Sequence, residues 1–250
     1  MEILTNGMGL SVVVFFPLIS AFVITLIPKA QEQLIKGFAL GSSLITFVLS
    51  AVLLFQFDFS SADKLQLGNK VSWIKSINAN YEIGIDGISL PLLVLSTFIT
   101  VLAIIYSIEH LPEPKSPKGF LALILVLETG MNGTFVALDL ILFFVFFEIV
   151  LLPMYFMIGI WGDKTVRTVS GLKNQIETRL YASIKFFVFT LFGSAFMLLG
   201  FLGLYYRGNK TFSIPELIEL GSSGAFTGTF ATLVFAVLFL GFAVKVPMWP

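Results

Sequence analysis

The amino-acid sequence predicts an all-α protein that crosses a membrane about seven times. Of its 250 residues, 57% are hydrophobic and only 12% are charged, whereas about a quarter of the residues in soluble domains are charged. The mean hydropathy is +0.96. Apolar runs of about 20 residues, the length that an α-helix needs to span a bilayer, recur along the chain. These observations exclude an ordinary soluble domain and predict a polytopic helical membrane protein.

The spanning helices are separated by polar or proline-containing segments. Pro28 ends the first helix. The polar stretch at residues 58–86, with a short strand expected at residues 73–77, separates the second helix from the third. A short surface helix is expected at residues 214–220, before the seventh span. The predicted spans cover residues 9–27, 34–57, 88–108, 120–138, 140–160, 180–206 and 229–249.

Loop charges predict the orientation in the membrane. Basic residues are most frequent in the odd-numbered loops, so those loops are expected on the cytoplasmic side and the N-terminus outside. The chain starts without a targeting segment, which favours a bacterial plasma membrane; an organellar inner or thylakoid membrane is the alternative. The basic residues of the odd loops are Lys29, Lys36, Lys115, Lys118, Lys164, Arg167, Lys173 and Arg179.

Composition also excludes several kinds of chemistry. The chain has no cysteine, so it offers no disulfide, no thiolate nucleophile and no cysteine ligand for an iron–sulfur cluster. It has no glycine-rich dinucleotide fingerprint. Its formal net charge of zero argues against a nucleic-acid partner. We therefore expect no flavin, iron–sulfur or metal site in this chain.

Two acids in the fourth and fifth spans are candidates for function, because a charge in hydrocarbon is costly and usually has a partner or a role. Glu128 and Glu148 lie about 14–16 Å on either side of the turn at Asp139, taking 1.5 Å per helical residue. Glu128, Asn132 and Asp139 are expected to share a face that lines a hydrated path. Asp139 is also expected to be a solvated turn residue or a helix cap. For Glu128, a protonated packing residue is the alternative.

The expected partner of Glu148 is Lys245, in the seventh span. Pro247 and Pro250 follow this lysine, and because proline lacks a backbone donor, a helix break is predicted there. Broken helices in mid-membrane often form ion sites. Lys185, early in the sixth span, either joins the proton path or extends to the membrane interface. A purely structural pair is the alternative, although buried pairs are weak stabilisers.

Several segments resemble a known family. The run around Glu148, FFVFFEIVLLPMYFMIGIWG, resembles the antiporter-like membrane subunits of proton-pumping NADH:quinone oxidoreductase, respiratory complex I. Its Leu-Leu-Pro-Met-Tyr and Ile-Trp-Gly elements favour chain M, called subunit 4 in organelles. The same subunit is resembled by WIKSINANYEIGIDGISLPLLVL, KFFVFTLFGSAFMLLG and GFAVKVPMWP.

The resemblance implies a fourteen-helix antiporter-like fold with two inverted repeats, each containing a broken helix. Residues 1–110 would form three leading helices with the external loop at 58–86. Residues 111–250 would form most of the first repeat, and because Trp249 has no polar flank, we expect the sequence to continue beyond Pro250.

The resemblance also implies roles for residues and partners. It makes Glu148 and Lys245 the proton-pumping pair, supported by a break at Pro247 and Pro250, and it places Lys185 where relatives have a lysine. Glu128 is a candidate for proton transfer by its position alone. Quinone, FMN and iron–sulfur clusters would belong to other subunits. The partners would be the sister antiporter-like subunits, the lipid bilayer and protons.

The predicted function is that of a non-redox, proton-translocating subunit that couples quinone reduction to pumping. Glu148 would act as an electrostatic switch: when ionised beside Lys245 it keeps the lysine charged, and when displaced or neutralised it lets the desolvated lysine release its proton. Two alternatives stay open. One is a subunit of an Mrp-type cation/proton antiporter or of a membrane-bound hydrogenase, and the other is a structural scaffold.

Overall fold

The computed structural model describes residues 7–168, 175–246 and 248. Within these residues, seven helical stretches are long and apolar enough to cross a membrane, which confirms the predicted number of spans. The predicted break beside Lys245 depends on Pro247 and Pro250, which lie outside the described residues. The helices are α1 (Met8–Leu26), α2 (Glu32–Gln56), α3 (Ser89–Glu109), α4 (Pro117–Val136), α5 (Leu140–Ile149), α6 (Leu151–Trp161), α7 (Thr178–Arg207), α8 (Ile214–Ser222) and α9 (Gly228–Lys245).

The helices α1 to α4 pack together as a bundle, and α5, α6, α7 and α9 continue it on one side of α4. Two apolar clusters hold the first bundle. The cluster at the end of the bundle where α1 begins includes Leu10, Leu53 and Leu93. The cluster at the end where α1 finishes includes Ile24 and Ile104. The clusters lie near opposite ends of these helices, so the middle of the bundle is left to other side chains.

The fifth span consists of two consecutive helices, α5 and α6, which meet at Val150. Proline at position 153 has no backbone N–H, so the carbonyl of Ile149 lacks its usual helical donor four residues later. The discontinuity at Val150 therefore lies about one turn before Pro153 and two residues after Glu148.

The polar segment after α2 forms a two-stranded hairpin rather than the single short strand that we expected. Strand β1 (Gln66–Ile74) pairs antiparallel with β2 (Ala79–Ile85). Residues 75–77 form a single 3₁₀ turn, and Asn78 closes the hairpin with a left-handed φ of 52°. The prediction of a strand at residues 73–77 is therefore wrong, because most of that stretch is the turn.

The remaining elements lie at the ends of the spans. Strands β3 (Val166–Thr168) and β4 (Gln175–Glu177) form a second antiparallel pair just before α7. The expected surface helix is present as α8, which buries Leu217. Backbone hydrogen bonds from Ile214 to the Leu138 carbonyl and from Leu140 to the Phe212 carbonyl connect the segment before α8 to the turn between α4 and α5.

Candidate functional site

Glu148 and Lys245 form an ion pair in the region of the spans. The Lys245 Nζ atom lies 2.6 Å from Glu148 Oε1, and the two side chains are 14% and 19% exposed. The ammonium group also donates to the Phe147 carbonyl at 3.2 Å and lies 4.0 Å from the centre of the Phe147 ring. The charge on Lys245 is therefore stabilised by a carboxylate, a carbonyl dipole and an aromatic face.

Glu148 has a second partner on another helix. The hydroxyl of Ser194, on α7, donates to the same oxygen, Glu148 Oε1, that accepts from Lys245. The Ser194 hydroxyl also lies 3.0 Å from the Thr190 carbonyl. The sequence analysis did not identify Ser194; the signal was the i, i+4 spacing of Thr190 and Ser194 in a helix otherwise rich in phenylalanine.

Close packing of α7 against α9 positions the lysine. A Cβ atom on Gly241 would lie 2.9 Å from the Gly193 carbonyl oxygen, and a Cβ atom on Gly193 would lie 2.8 Å from the Val244 side chain. The two helices thus approach through glycine, as small residues allow in membranes. This approach brings Lys245, at the end of α9, beside Ser194 and Glu148.

Aromatic side chains surround the pair on the α5 side. Phe143 and Phe147 stack on one another at 5.3 Å, and both contact Phe242 of α9 edge-on. These rings form an apolar surface on one flank of the ion pair. Phe147 also borders an open, largely apolar cleft of about 570 Å³ whose lining includes Lys245, Thr190 and Ser96.

Glu128 is fully buried and does not face this pair. Its helix contacts α5 on another face, where Gly130 meets Val150 and Gly133 meets the Phe146 ring. Residues 128 and 130 differ by about 200° around a helix of 3.6 residues per turn. Glu128 therefore points away from α5, the helix that carries Glu148, although the two acids are at similar positions along adjacent spans.

The predicted polar face of the fourth span is only partly correct. Glu128 and Asn132 lie in α4 and are both completely buried. Helix α4 ends at Val136, so Asp139 belongs to the following turn and does not extend that face. The prediction that all three share one helical face is wrong, because the helix stops before the third of them.

Asp139 caps a helix, which is one of the two roles expected for it, but it is buried rather than solvated. Its carboxylate accepts from the backbone N–H groups of Ile141 and Leu142 at the start of α5. It also accepts from the backbone N–H of Asn80 in β2 at 2.9 Å. Burial raises the pKa of the Asp139 carboxyl, and these three hydrogen bonds oppose the rise. The hairpin covers the turn, which is why the residue is not solvated.

Lys185 is exposed on α7. Its Nζ atom lies 5.7 Å from the centre of the Tyr181 ring, one turn earlier in the same helix. Within the part of the chain that the structure describes, Lys185 is not in contact with the Glu148–Lys245 pair. In the same described residues, no group of three or more His, Asp or Glu side chains is arranged to hold a metal ion.

Two family models match successive parts of the chain. A family model described as NADH-ubiquinone oxidoreductase chain 4, amino terminus, matches residues 12–134. A second, described as NADH:quinone oxidoreductase/Mrp antiporter, TM, matches residues 137–250. The chain belongs to the antiporter-like subunits of NADH:quinone oxidoreductase. Its relatives are named chain 4 or subunit M, which confirms the family that the sequence motifs resemble.

The relatives come from different kinds of organism. The chain is 35% identical to NAD(P)H-quinone oxidoreductase chain 4 of Gloeobacter violaceus, over 96% of this chain and 42% of the relative. It is 35% identical to NADH-quinone oxidoreductase subunit M of Rickettsia bellii and to F(420)H(2) dehydrogenase subunit M of Methanosarcina mazei, over 96% of this chain and 46% of each relative. The chain therefore spans somewhat less than half the length of these relatives.

Solved structures share the fold. Respiratory complex I from Thermus thermophilus matches with a TM-score of 0.75 at 24% identity, over 95% of this chain and 44% of that chain. The Mrp complex from Dietzia matches with a TM-score of 0.74 at 16% identity, over 94% of this chain and 23% of that chain. These matches confirm an all-α antiporter-like membrane fold, of which this chain holds the first part.

Proposed function

We propose that this chain is a non-redox, proton-translocating part of a complex I-type NADH:quinone oxidoreductase. The observation that carries the proposal is the Glu148–Lys245 ion pair, formed between two spanning segments. A charge pair in that position is costly to bury, which is a reason to expect a role in transport. The names of the relatives support a complex in which quinone is reduced. Flavin, iron–sulfur clusters and quinone are then expected in other subunits.

The geometry supports a switch at Glu148. While its carboxylate contacts Lys245, the lysine keeps its proton. If Glu148 withdraws from Lys245, the lysine loses its counter-charge in a poorly solvated position and releases the proton to an acceptor. The hydrogen bond from Ser194 gives the carboxylate a remaining partner when Lys245 is lost. The cleft beside Lys245 leaves one side of the ammonium group open to a proton donor or acceptor from outside the pair.

Lys185 belongs to the proposal as an entry residue rather than as a member of the pair. It lies on the same helix as Ser194, nine residues earlier, which corresponds to about 14 Å along the helix axis. The loop before α7 is basic, so the positive-inside rule places this end of α7 on the cytoplasmic side. We therefore propose cytoplasmic proton entry near Lys185, followed by transfer toward Lys245.

A second candidate is a cation/proton antiporter without electron transfer. The observation that favours it is the fold match to the Mrp complex, whose TM-score is close to that of complex I. A membrane-bound sulfane sulfur reductase matches equally well, with a TM-score of 0.74. Purification separates the candidates: redox subunits that co-purify with the full-length protein favour complex I, whereas transport driven by a sodium gradient alone favours the antiporter.

The decisive experiment is proton pumping by the intact complex in reconstituted vesicles after Glu148→Ala. We expect the proton-to-electron ratio to fall, because Lys245 loses the group that controls its charge. Glu219→Ala, an acid on the surface helix α8, is the control and should keep the ratio. An unchanged ratio in Glu148→Ala would contradict the proposal. If Glu148→Gln and Lys245→Met alter only assembly, the chain is a structural scaffold.

A further inference from the structure

The middle of the α1–α4 bundle contains buried polar side chains between the two apolar clusters. We call these residues the polar layer. Each of them is at most 4% exposed, although the helices are apolar above and below. The polar layer consists of Ser20 on α1, Ser42, Ser43, Thr46 and Ser50 on α2, Thr97 and Thr100 on α3, and Glu128, Thr129 and Asn132 on α4.

Most hydroxyl groups of the polar layer are already satisfied. Those of Ser43, Thr46 and Thr129 donate to carbonyls of their own helices. The hydroxyls of Ser50 and Thr97 lie 2.8 Å apart and connect α2 to α3. These hydrogen bonds explain how hydroxyl groups are accommodated in an apolar bundle. A few polar groups of the layer have no such partner.

The groups without a protein partner are concentrated on α4. Among the described residues of the polar layer, the buried atoms with no hydrogen-bond partner are both carboxyl oxygens of Glu128, the Asn132 Oδ1 atom and, on α2, the Ser42 hydroxyl oxygen. A buried polar atom left unpaired is destabilising, and a charged one is more so. Glu128 and Asn132 are one helical turn apart on the same face. Their unsatisfied oxygens therefore call for a shared donor.

A proline on α1 fixes the orientation of the Asn132 amide. Pro17 has no backbone N–H, so the Val13 carbonyl lacks its usual helical donor. Asn132 Nδ2 lies 3.4 Å from that carbonyl and donates to it. Since only the nitrogen of the amide can donate, Asn132 Oδ1 must be the acceptor that remains for the polar layer.

Within helices α1 to α4, all of which the structure describes, no basic side chain lies near the middle of the bundle to balance an ionised Glu128. The other charged residues of α1 to α4 lie at the ends of the helices, and Glu148, the acid on the adjacent helix, faces another side of α4. An uncompensated carboxylate in this position is far more costly than a neutral acid. A proton on Glu128 removes the charge and supplies the donor that Asn132 Oδ1 lacks. The end residues are Glu32, Lys36, Glu109 and Lys118.

We propose that Glu128 and Asn132 form a second proton-binding site, in which protonated Glu128 donates to Asn132 Oδ1. The bound ligand is a proton. This site does not depend on the proposed role of Glu148 and Lys245. Its route of exchange is lateral, because the apolar clusters close the bundle above and below. The cleft that contacts Lys245 reaches α3 at Ser96, whose hydroxyl oxygen is buried and has no partner among the described residues.

Infrared spectroscopy of the full-length protein in membranes tests the site directly. At neutral pH we expect a carbonyl band from a protonated carboxyl group that disappears in Glu128→Gln and persists in Glu148→Gln. Asn132→Leu should shift this band to higher frequency, because the carboxyl O–H of Glu128 loses its acceptor and a carboxyl group with one hydrogen bond fewer absorbs at higher frequency. Thr134→Val is the control, since that hydroxyl donates to its own helix at Gly130; the band should not move.

Hydrogen–deuterium exchange of the same band tests the route. Ser96→Leu should slow the exchange severalfold by closing the wall of the cleft, while Ser107→Leu, on the same helix but outside the cleft lining, should not. A band that is absent from the wild type, or unaffected by Glu128→Gln, would overturn the site. A band that does not shift in Asn132→Leu would overturn the shared proton, and unchanged exchange in Ser96→Leu would overturn the route.

Discussion

Glu148 and Glu128 occupy adjacent spans at similar depth, yet the molecule surrounds them differently. Glu148 contacts a lysine and a serine from two other helices, and the lysine lines an open cleft. Glu128 is enclosed in a bundle whose described residues offer its carboxyl oxygens no partner. The comparison shows that depth in the membrane does not determine the chemistry of a buried acid. The helix face determines it, because the face selects the neighbours.

Helix α4 keeps the two acids apart. Gly130 and Gly133 allow α5 to approach α4 closely, while Glu128 and Asn132 project toward the first bundle. Glu148 has two partners among the described residues, whereas for Glu128 we propose one acceptor, Asn132. Three sets of substitutions follow in order of decreasing expected effect on stability; the first two test this difference, and the third is an exposed pair for reference.

Breaking the ion pair should have the largest effect. Lys245→Met leaves Glu148 buried without a counter-charge, and such a loss costs about 3–5 kcal/mol. The double variant Glu148→Gln/Lys245→Met should recover much of that stability, because neither charge remains. Thermal unfolding of the purified full-length protein measures both. Glu128→Gln should be milder, since Glu128 has no ion pair to lose. A double variant no more stable than Lys245→Met would mean that packing, not charge, dominates the site.

Separating α4 from α5 should have an intermediate effect. In Gly130→Leu, the new Cβ atom would lie 3.1 Å from both the Phe146 carbonyl oxygen and the Val150 nitrogen, which are backbone atoms that cannot rotate away. Overpacking of this kind costs about 1–3 kcal/mol. Gly37→Leu is the matched control, because nothing lies within 4 Å of its Cβ position. We expect Gly130→Leu to impair pumping while leaving the Glu128 infrared band in place; loss of that band would show that the two sites are not separate.

An ion pair outside the membrane should have the smallest effect. Lys70 of the hairpin lies 3.2 Å from Glu82 and 2.8 Å from Glu216, but the Lys70 and Glu216 side chains are 42% and 49% exposed. Glu216→Gln, which removes only the exposed acid and leaves Lys70 beside the 11%-exposed Glu82, should therefore cost less than about 1 kcal/mol, as exposed pairs usually do. Added salt should reduce the difference in unfolding free energy between wild type and the variant, because salt screens exposed charges.

The same contact has a defined pH dependence. Hydrogen bonds from Lys70 and Thr211 lower the pKa of the Glu216 carboxyl below its ordinary value of 4.5. A lowered pKa in the folded state contributes stability above the ordinary value, and that contribution is lost as the pH falls through the lowered one. Unfolding curves of wild type and Glu216→Gln should therefore converge in acid. A gap that persists at low pH would rule out the charge contribution.

The spans could be predicted because each one is a long apolar run bounded by charge or proline. Glu148 and Lys245 could be matched because each is the single charged residue of an otherwise apolar predicted span; the structure brings them into contact, while their role in transport stays a prediction. The face of Glu128 could not be predicted from its own helix. The direction in which α4 turns its side chains depends on which neighbours contact Gly130 and Gly133, and sequence spacing does not identify those neighbours.

Two other features were missed for different physical reasons. The hairpin was underestimated because its first strand is largely exposed and lacks regular alternation. The polar layer was missed because serine and threonine residues are individually unremarkable in apolar helices, where they bond to their own backbone. The repeat of Ser42, Thr46 and Ser50 at i, i+4 spacing was the available signal, since it places three hydroxyls on one face of α2.

The buried cap at Asp139 limits how Glu148 can move. Asp139 ties the start of α5 to Asn80 of the hairpin, and the adjoining backbone is bonded to the segment before α8. This end of α5 cannot slide along the helix axis without breaking several hydrogen bonds at once. Val150, where α5 meets α6, contacts Gly130 of α4 but has no side-chain cap of this kind. If the proposed switch separates Glu148 from Lys245, we expect α5 to pivot about its Asp139 end rather than translate along its axis.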